Sequence, residues 1–424
     1  MTLILLIFCY SIVLIAIVWA VLGGIKKHLA LVFFGFIQLF YLLFTPFVKY
    51  LNDDYFAFNV LLGEDDFFFG LLILGIHLVF FYTGYFTLQL SSSKASVGVR
   101  RLELSKNRIM VISILFMLII GINSAFGEVS LIDILIGKEE DVVTLGFKGG
   151  SNWFSNLADS LIILVCMYYF VRTPKFFNVF AISFTICLFL ILGFRYRFLL
   201  LFFGFFLMYL KKTRLTKIFL FKALTIGFFS FYTFMFISEN RINFYTNNLS
   251  NLNYSLSNFD YSSIGENTMG TIVDFALIRS CRNESVVYDF GESMFVYPFI
   301  MIMPSSFFHN GEKPYPAPQI NAIDKALNVP RSYGQACTFV GMSYYAFSWF
   351  GVVVFSFLFG MLANSIEFKS DYSNLSFKKL SILLASFQLY TRGYLGLFLL
   401  PLSFMLIAIF LVELKLSKSS ARKS

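Results

Sequence analysis

Long apolar runs alternate with short polar segments along most of this chain. A helix that crosses the hydrocarbon core of a bilayer needs roughly 20 predominantly apolar residues. The pattern therefore predicts about eleven transmembrane helices, with ten to twelve as the range. The predicted spans are 3–23, 29–51, 67–90, 109–126, 157–171, 176–193, 194–210, 218–238, 344–366, 380–391 and 394–413.

The longest polar segment, 239–343, interrupts this pattern late in the chain. It predicts an N-terminal bundle of about eight spans over 1–238, a large loop over 239–343, and C-terminal spans with a tail over 344–424. The loop is predicted to contain short helices. Its apolar run 293–304 is about eleven residues long, too short to span, and predicts a re-entrant or interfacial segment.

The composition indicates a membrane-embedded fold. The 424 residues are 58% hydrophobic and 13% charged, whereas soluble domains carry roughly 25% charged residues. The first apolar run lacks a basic flank and a small-residue cleavage site, so it is predicted to be a span and not a cleaved signal peptide. We therefore predict an all-α polytopic membrane protein.

Charged residues are distributed unequally between the two sets of connecting segments. One set holds about 21 basic and 4 acidic residues, and the other about 12 basic and 20 acidic. Because basic segments stay cytoplasmic, the first set is predicted to lie inside the cell. The N-terminus and the loop 239–343 are then outside the cytoplasm. The net charge of +9 thus reports orientation and predicts no nucleic-acid partner.

Several common site signatures are missing from the sequence. The chain has three histidines, and no His, Cys or Asp cluster has the spacing of metal ligands. It has no Walker motif, no Gly-rich dinucleotide fingerprint and no Gly-x-Ser-x-Gly nucleophile elbow. We therefore predict neither metal nor cofactor, and the pattern disfavours an ATP-driven pump, a hydride-transfer enzyme and a serine hydrolase.

Arginines are the chemistry-bearing residues of the predicted outer side. Arginine captures phosphate oxygens in a bidentate manner and keeps its charge when buried. Such a face suits an anionic lipid head, for example a diphosphate whose charge the arginines would stabilise as it leaves. Taken singly, each arginine also fits an interfacial anchor or a structural ion pair. The set is Arg195, Arg241, Arg279, Arg282, Arg331 and Arg392.

Other polar residues fall inside or beside predicted spans. Burial of Arg197 costs about 2.5–3.5 kcal/mol, so a lipid phosphate, a protein carboxylate or a substrate should offset its charge. His77 lies in the third run, where a neutral histidine satisfied by a neighbouring helix is favoured over a functional one. Cys281 and Cys337 are predicted outside, where a disulfide is one alternative.

A sugar hydroxyl that attacked such a lipid-linked donor would need a general base. The sequence does not choose among the acidic residues and the histidine of the loop. The candidates are Glu239, Asp274, Glu284, Asp289, Glu292, His309 and Glu312. We take Glu292 and His309, together with Arg279 and Arg331, as the candidate catalytic residues.

The segment that closes the loop resembles a known family. It runs from Gly334 to Gly351 and includes Gly341, the pair Tyr344 and Tyr345, and the stretch Phe-Ser-Trp-Phe-Gly before the next span. This segment is similar to the corresponding one of bacterial O-antigen polymerases, which join oligosaccharide repeat units. The turns Gly-Phe-Arg195 and Thr-Arg392-Gly resemble family positions as well, and the layout of spans and loop agrees over the whole chain.

The resemblance implies an integral-membrane glycosyltransferase of the bacterial inner membrane. Such an enzyme moves a growing glycan from its undecaprenyl diphosphate carrier to the next lipid-linked repeat unit, at the periplasmic face and without nucleotide or metal. A flippase and a chain-length regulator are the implied partners. Taken with the arginine set above, the candidate substrate-binding residues are Arg195, Arg241, Arg282, Arg392, Tyr344 and Tyr345.

Two alternatives remain at this point. A polysaccharide flippase or other transporter would show short loops on both sides, internal repeats and charges inside spans. The sequence shows no clear repeat, and one loop is far longer than the rest. An O-antigen ligase has the same layout but would be expected to use a loop histidine, for which His309 is the candidate.

Overall fold

A computed structural model describes most of the predicted spans and part of the large loop. The described residues are 1–91, 106–126, 153–171, 174–191, 195–212, 225, 232, 270–303, 307–309, 318–329, 336–367 and 374–413. They are predominantly helical. Within them, the sheet structure amounts to an antiparallel hairpin in which Phe56 pairs with Leu61 and Ala57 with Val60.

The N-terminal part is a series of long helices. A π-helical turn at Gln38–Leu43 joins the second and third helices into one continuous run. The helices are α1 (Thr2–Leu22), α2 (Leu29–Ile37), α3 (Phe44–Leu51), α4 (Glu64–Ser91), α5 (Lys106–Phe126), α6 (Trp153–Val171), α7 (Lys175–Ile191) and α8 (Arg195–Lys212).

The C-terminal part combines short loop helices with three long ones. A π-helical turn, Glu292–Val296, leads directly into the second of the short helices. The helices are α9 (Gly270–Arg282), α10 (Tyr297–Ile302), α11 (Pro318–Leu327), α12 (Phe339–Ser365), α13 (Asn374–Arg392) and α14 (Leu395–Glu413).

These helices coincide with ten of the eleven predicted spans. The run 218–238 lies outside the described residues, apart from Thr225 and Tyr232. Within the described residues, four helices are long and apolar enough to cross a membrane. They are Thr2–Leu22, Leu29–Leu51, Glu64–Leu88 and Phe339–Ser365. For the other predicted spans, membrane crossing stays a prediction.

Helices α4 and α12 form the centre of the packing. A methyl group at Gly360 would overlap the backbone carbonyl of Phe81, and one at Gly84 would overlap that of Phe357. Small residues of this kind let two membrane helices approach backbone to backbone. At one end of this contact the Asn364 side-chain amide donates to the Tyr85 carbonyl at 2.9 Å.

A buried polar network crosses the centre of the helices. His77 Nδ1 lies 2.7 Å from the Ser356 hydroxyl, and His77 Nε2 lies 2.5 Å from the Tyr390 hydroxyl. Gln38 donates to the same Tyr390 oxygen at 2.8 Å and accepts from Tyr82 at 2.5 Å. Both ring nitrogens of His77 therefore have partners on neighbouring helices, as the favoured interpretation of this residue predicted.

Two buried carboxylates hold distant segments together. Asp159 of α6 pairs with Arg197 of α8 at 2.7 Å, with both side chains at most 1% exposed. A protein carboxylate therefore offsets the charge of Arg197, the second of the three predicted sources. At the far end of α12, Glu367 accepts from the backbone amides of Ala30 at 3.1 Å and Leu31 at 3.0 Å and so caps the start of α2.

Candidate functional site

Helix α9 sets the position of the start of α12. Asp274 is 1% exposed. Its Oδ1 accepts from the Thr338 amide at 2.7 Å, and its Oδ2 accepts from the Thr338 hydroxyl at 2.5 Å. The Thr338 Oγ1 in turn accepts from the Val340 amide at 3.1 Å, which is an N-cap. A methyl group at Gly341 would overlap the Asp274 carboxylate, so the close approach requires glycine there.

The ionisation of Asp274 is shifted toward neutrality. Burial raises the pKa of this carboxyl to about 7, and the hydrogen bonds from Thr338 oppose the rise. A pKa near 7 suits general acid–base chemistry. Both oxygens already have partners in α12, however, and the side chain is enclosed. Asp274, one of the base candidates from the sequence, therefore acts here as a fixed link between two helices.

Helix α12 contains a sharp break. Phe347 has φ −144° and ψ 31°, and Ser348 has φ 58° and ψ −154°. The Ser348 region of φ/ψ space is essentially reserved for glycine, and a non-glycine residue there stores about 1–3 kcal/mol of strain. The Phe347 ring packs 5.9 Å from Phe355, and Phe339 packs 4.9 Å from Phe359. The short first part of α12 therefore folds back against the second part.

Contacts between the loop and α12 hold the break in place. The Tyr288 hydroxyl donates to Ser348 Oγ at 3.4 Å, and the rings of Tyr288 and Tyr344 lie 6.0 Å apart. The Asp289 amide donates to the Tyr345 carbonyl at 3.3 Å. Tyr344 and Tyr345, predicted to bind substrate, are 3% and 5% exposed. In this arrangement they support the break and present almost no surface.

Asp289 and Glu292 lie beside this break. The Asp289 carboxylate accepts from the amides of Gly291 at 3.0 Å and Ser293 at 2.8 Å, and so orders the turn that starts the π-helical segment. Gly291 has φ 86°, which a residue with a side chain rarely adopts. Glu292 is exposed at the start of this segment, and so is His309 farther along the loop. Both of these candidate bases are thus exposed.

Two of the predicted arginines share one carboxylate. Arg279 Nε lies 3.0 Å from Asp66 Oδ2, and Arg282 Nη1 lies 3.4 Å from Asp66 Oδ1. Arg279 also donates to the Leu61 carbonyl at 3.2 Å, and the Arg282 guanidinium lies 4.1 Å from the centre of the Phe69 ring. Their side chains are 32% and 40% exposed. We call Asp66, Arg279 and Arg282 the arginine triad, and it carries one net positive charge.

The structure describes the remaining predicted arginines to different extents. Arg392 is exposed in the last turn of α13, next to Gly393, whose φ of 61° ends the helix against the Thr338 carbonyl. This arrangement brings Arg392 close to the start of α12. Arg195 begins α8, but its side chain is outside the described part. Arg241 and Arg331 lie outside the described residues altogether.

The two cysteines of the loop are not bonded to each other. Cys281 and Cys337 are both buried free thiols, so the disulfide alternative is wrong for this structure. Burial raises the pKa of the Cys281 thiol to about 12, which keeps it protonated and unreactive. No group of three or more His, Cys, Asp or Glu residues in the described ranges could hold a metal ion.

The fold and the site define a polytopic helical membrane protein with polar and strained elements gathered where loop helices meet the long ones. The chain matches the family of the O-antigen polysaccharide polymerase Wzy over residues 1–423 and belongs to that family. It therefore polymerises oligosaccharide repeat units that are lipid-linked in the membrane. The resemblance seen in the sequence is confirmed, and the flippase and ligase alternatives are not favoured. No curated protein and no solved structure matches the chain.

Sequence reasoning missed two features of this site. One is the role of Asp66, because no local sequence feature connects it with arginines more than 200 positions away. The break at Ser348 was also missed. Its neighbours are aromatic residues that a helix accepts, and neither glycine nor proline marks the position. Gly351, whose added methyl would overlap the Ser343 carbonyl, was the available signal.

Proposed function

We propose that this polymerase uses a polyprenyl-diphosphate-linked donor and works at the periplasmic face of the bacterial inner membrane. Family membership supplies the polymerisation of lipid-linked units. The proposal adds the chemical nature of the carrier and the side of the membrane. The charge distribution of the connecting segments supports the side, since it predicts the loop outside the cytoplasm.

The reaction exchanges one bond at the anomeric carbon of the growing glycan. The bond from that carbon to the diphosphate oxygen breaks, and a bond to a hydroxyl oxygen of the next lipid-linked unit forms. The hydroxyl proton passes to a general base, and polyprenyl diphosphate leaves with the bonding electron pair. Negative charge therefore develops on the diphosphate, where fixed cations stabilise the transition state.

The arginine triad is the observation that carries this proposal. Two guanidinium groups are held in fixed orientation by Asp66, Leu61 and Phe69, and both stay partly exposed. Groups oriented before the substrate arrives need no reorganisation during the reaction. We assign them to the diphosphate. Arg195, Arg241 and Arg392 are proposed as further binding residues, with Arg331 as a further catalytic one.

The general base is proposed among the exposed groups beside the break in α12. Glu292 is exposed there, and His309, which is exposed farther along the loop, is the second candidate. Asp289 lies three residues before Glu292 and has its carboxylate oriented by two backbone amides. Tyr344 and Tyr345 keep a proposed role in binding, which would require a rearrangement that exposes them. A flippase and a chain-length regulator are the proposed partners.

The test uses purified protein and a synthetic repeat unit on a polyprenyl diphosphate carrier. Wild-type protein should elongate the glycan and release one polyprenyl diphosphate per bond formed. Arg279→Ala and Arg282→Ala should each lower the rate about 100-fold, because each removes a charge-assisted contact to the leaving group.

The matched control is Lys378→Ala. Lys378 forms an ion pair with Glu413 at 3.0 Å and is 43% exposed, close to the geometry of the triad, but it lies on the predicted cytoplasmic side. This variant should keep the wild-type rate. Equal rates for all three variants, or elongation without release of polyprenyl diphosphate, would refute the proposed assignment.

A further inference from the structure

An apolar groove runs along one side of α12. Its volume is about 200 Å³. One wall is a stripe of side chains on the second part of α12, formed by Phe355, Leu358, Phe359 and Leu362. Their spacing places them on a single face of the helix. The groove therefore follows the axis of the apolar second part of α12, which lies beyond the break at Ser348.

The other walls come from four separate segments. Phe339 belongs to the short first part of α12, Leu389 to α13 and Leu395 to α14, and Met294 and Phe295 belong to the π-helical turn. The Phe295 ring lies 5.7 Å from Phe355, so the turn covers one end of the stripe. None of the described side chains that line the groove is charged or polar.

The groove is open to the side. Leu358 is 52% exposed and Phe295 is 48% exposed. Because the second part of α12 is apolar and belongs to a predicted membrane span, we expect an opening on its flank to face lipid. A hydrocarbon chain can enter such an opening from the membrane.

One end of the groove adjoins the polar site. Phe339 follows Thr338, the residue bonded to Asp274. Leu395 comes directly after the turn that ends α13, next to Arg392. Met294 lies two residues after Glu292. An apolar groove that ends beside an arginine matches an amphiphile with a long hydrocarbon tail and an anionic head.

We propose that this groove holds the tail of the polyprenyl carrier on the side nearest its diphosphate. The inference rests on the proposed function, which supplies a polyprenyl diphosphate as carrier. The four phenylalanine rings of the walls give flat apolar faces for the planar double bonds of isoprene units. A groove that binds the carrier in this way orients the diphosphate toward the site before any sugar is transferred.

The test measures binding directly and does not depend on turnover. Purified protein is mixed with polyprenyl diphosphate that carries a photoreactive group in the tail near the head, and labelled peptides are identified after illumination. Labels should fall within 294–303 and 351–365. Excess unlabelled polyprenyl diphosphate should displace them, and excess phosphatidylglycerol should not.

Two variants make the test specific. Leu358→Trp fills part of the groove and removes contacts with several methylene groups of the tail. The concentration of unlabelled polyprenyl diphosphate that displaces half of the label should therefore rise about tenfold. Leu118→Trp changes a residue of α5 that is 56% exposed, similar to Leu358, and should bind as wild type does.

The outcomes separate the groove from the proposed function. Equal displacement by phosphatidylglycerol would show that the groove holds bulk lipid, and labelling unaffected by Leu358→Trp would show that the tail lies elsewhere. Either result overturns the inference while leaving polymerisation from a polyprenyl diphosphate donor intact. Specific labelling in a protein that releases no polyprenyl diphosphate would instead uphold the groove and refute the proposed donor chemistry.

Discussion

At the scale of single residues, the hydrogen bonds between Asp274 and Thr338 show how one carboxyl group can hold two helices in contact. Both carboxyl oxygens are used, one by a backbone amide and one by a hydroxyl. The cost is burial of an ionisable group, which raises the pKa of Asp274 to about 7. The start of α12 is therefore placed by a group whose charge state changes near neutral pH.

The stability of the protein should consequently depend on pH through Asp274. The folded-state pKa lies above the ordinary value of 3.8, so the fold favours the neutral acid. The contribution of Asp274 to stability is fully present below about pH 4 and is lost as the pH rises to about 7. Asp274→Asn cannot ionise, so its melting temperature in detergent should fall less between pH 5 and pH 8 than that of wild type.

Glu367 makes a second contribution to the pH dependence of the melting temperature. Burial raises the pKa of that carboxyl to about 7 as well, and the variant retains it. Both proteins should therefore keep some pH dependence, and only the difference between their curves reports Asp274. Parallel curves for the two proteins would contradict the prediction.

At the scale of elements, the break in α12 is the least expected part of the fold. The apolar pattern predicted a span over 344–366, and α12 covers that stretch, but it begins at Phe339 and folds back on itself at Ser348. Periodicity reports which face is buried and says nothing about a single residue with unusual backbone angles. The long-range partners that hold the break, such as Tyr288, are likewise invisible in a local pattern.

Substitutions at the break should separate strain from close packing. Ser348→Gly keeps the backbone angles and removes the steric penalty, so it should raise the free energy of unfolding by about 1 kcal/mol. Gly351→Ala places a methyl group against the Ser343 carbonyl and should lower both stability and polymerisation. Thermal unfolding in detergent and the chain-length distribution of the glycan measure these effects.

The matched control is Gly121→Ala in α5. A methyl group there meets nothing within 4 Å, so this change should be tolerated. Wild-type stability for Gly351→Ala would mean that the break is not tightly held. A loss of stability for Ser348→Gly would mean that the serine side chain, and not the backbone, determines the conformation.

At the scale of the whole molecule, the positions of the long helices could be predicted because apolar length alone sets them. The large loop was predicted as a polar segment with short helices, and α9, α10 and α11 lie within it. The contacts among its residues could not be predicted. They join positions hundreds of residues apart, as the triad of Asp66, Arg279 and Arg282 does.

The orientation of the molecule is open to direct measurement. A reporter that is active only outside the cytoplasm should be active when it is fused near Tyr315, because the basic connecting segments are predicted to stay inside. A fusion after Lys418 should give the opposite result and serves as the control. If both fusions lie in the cytoplasm, the predicted side of the loop is wrong. The arginine triad could then not bind a substrate on the periplasmic side.

The cap that Glu367 places on α2 has a consequence for how the chain is made. The amides of Ala30 and Leu31 emerge from the ribosome early, whereas the carboxylate that satisfies them is synthesised 336 residues after Leu31. Until then the start of α2 has no partner from this residue. This cap can therefore form only late in synthesis, after α12 has been made, and a ribosome that stalls before Glu367 leaves the start of α2 without it.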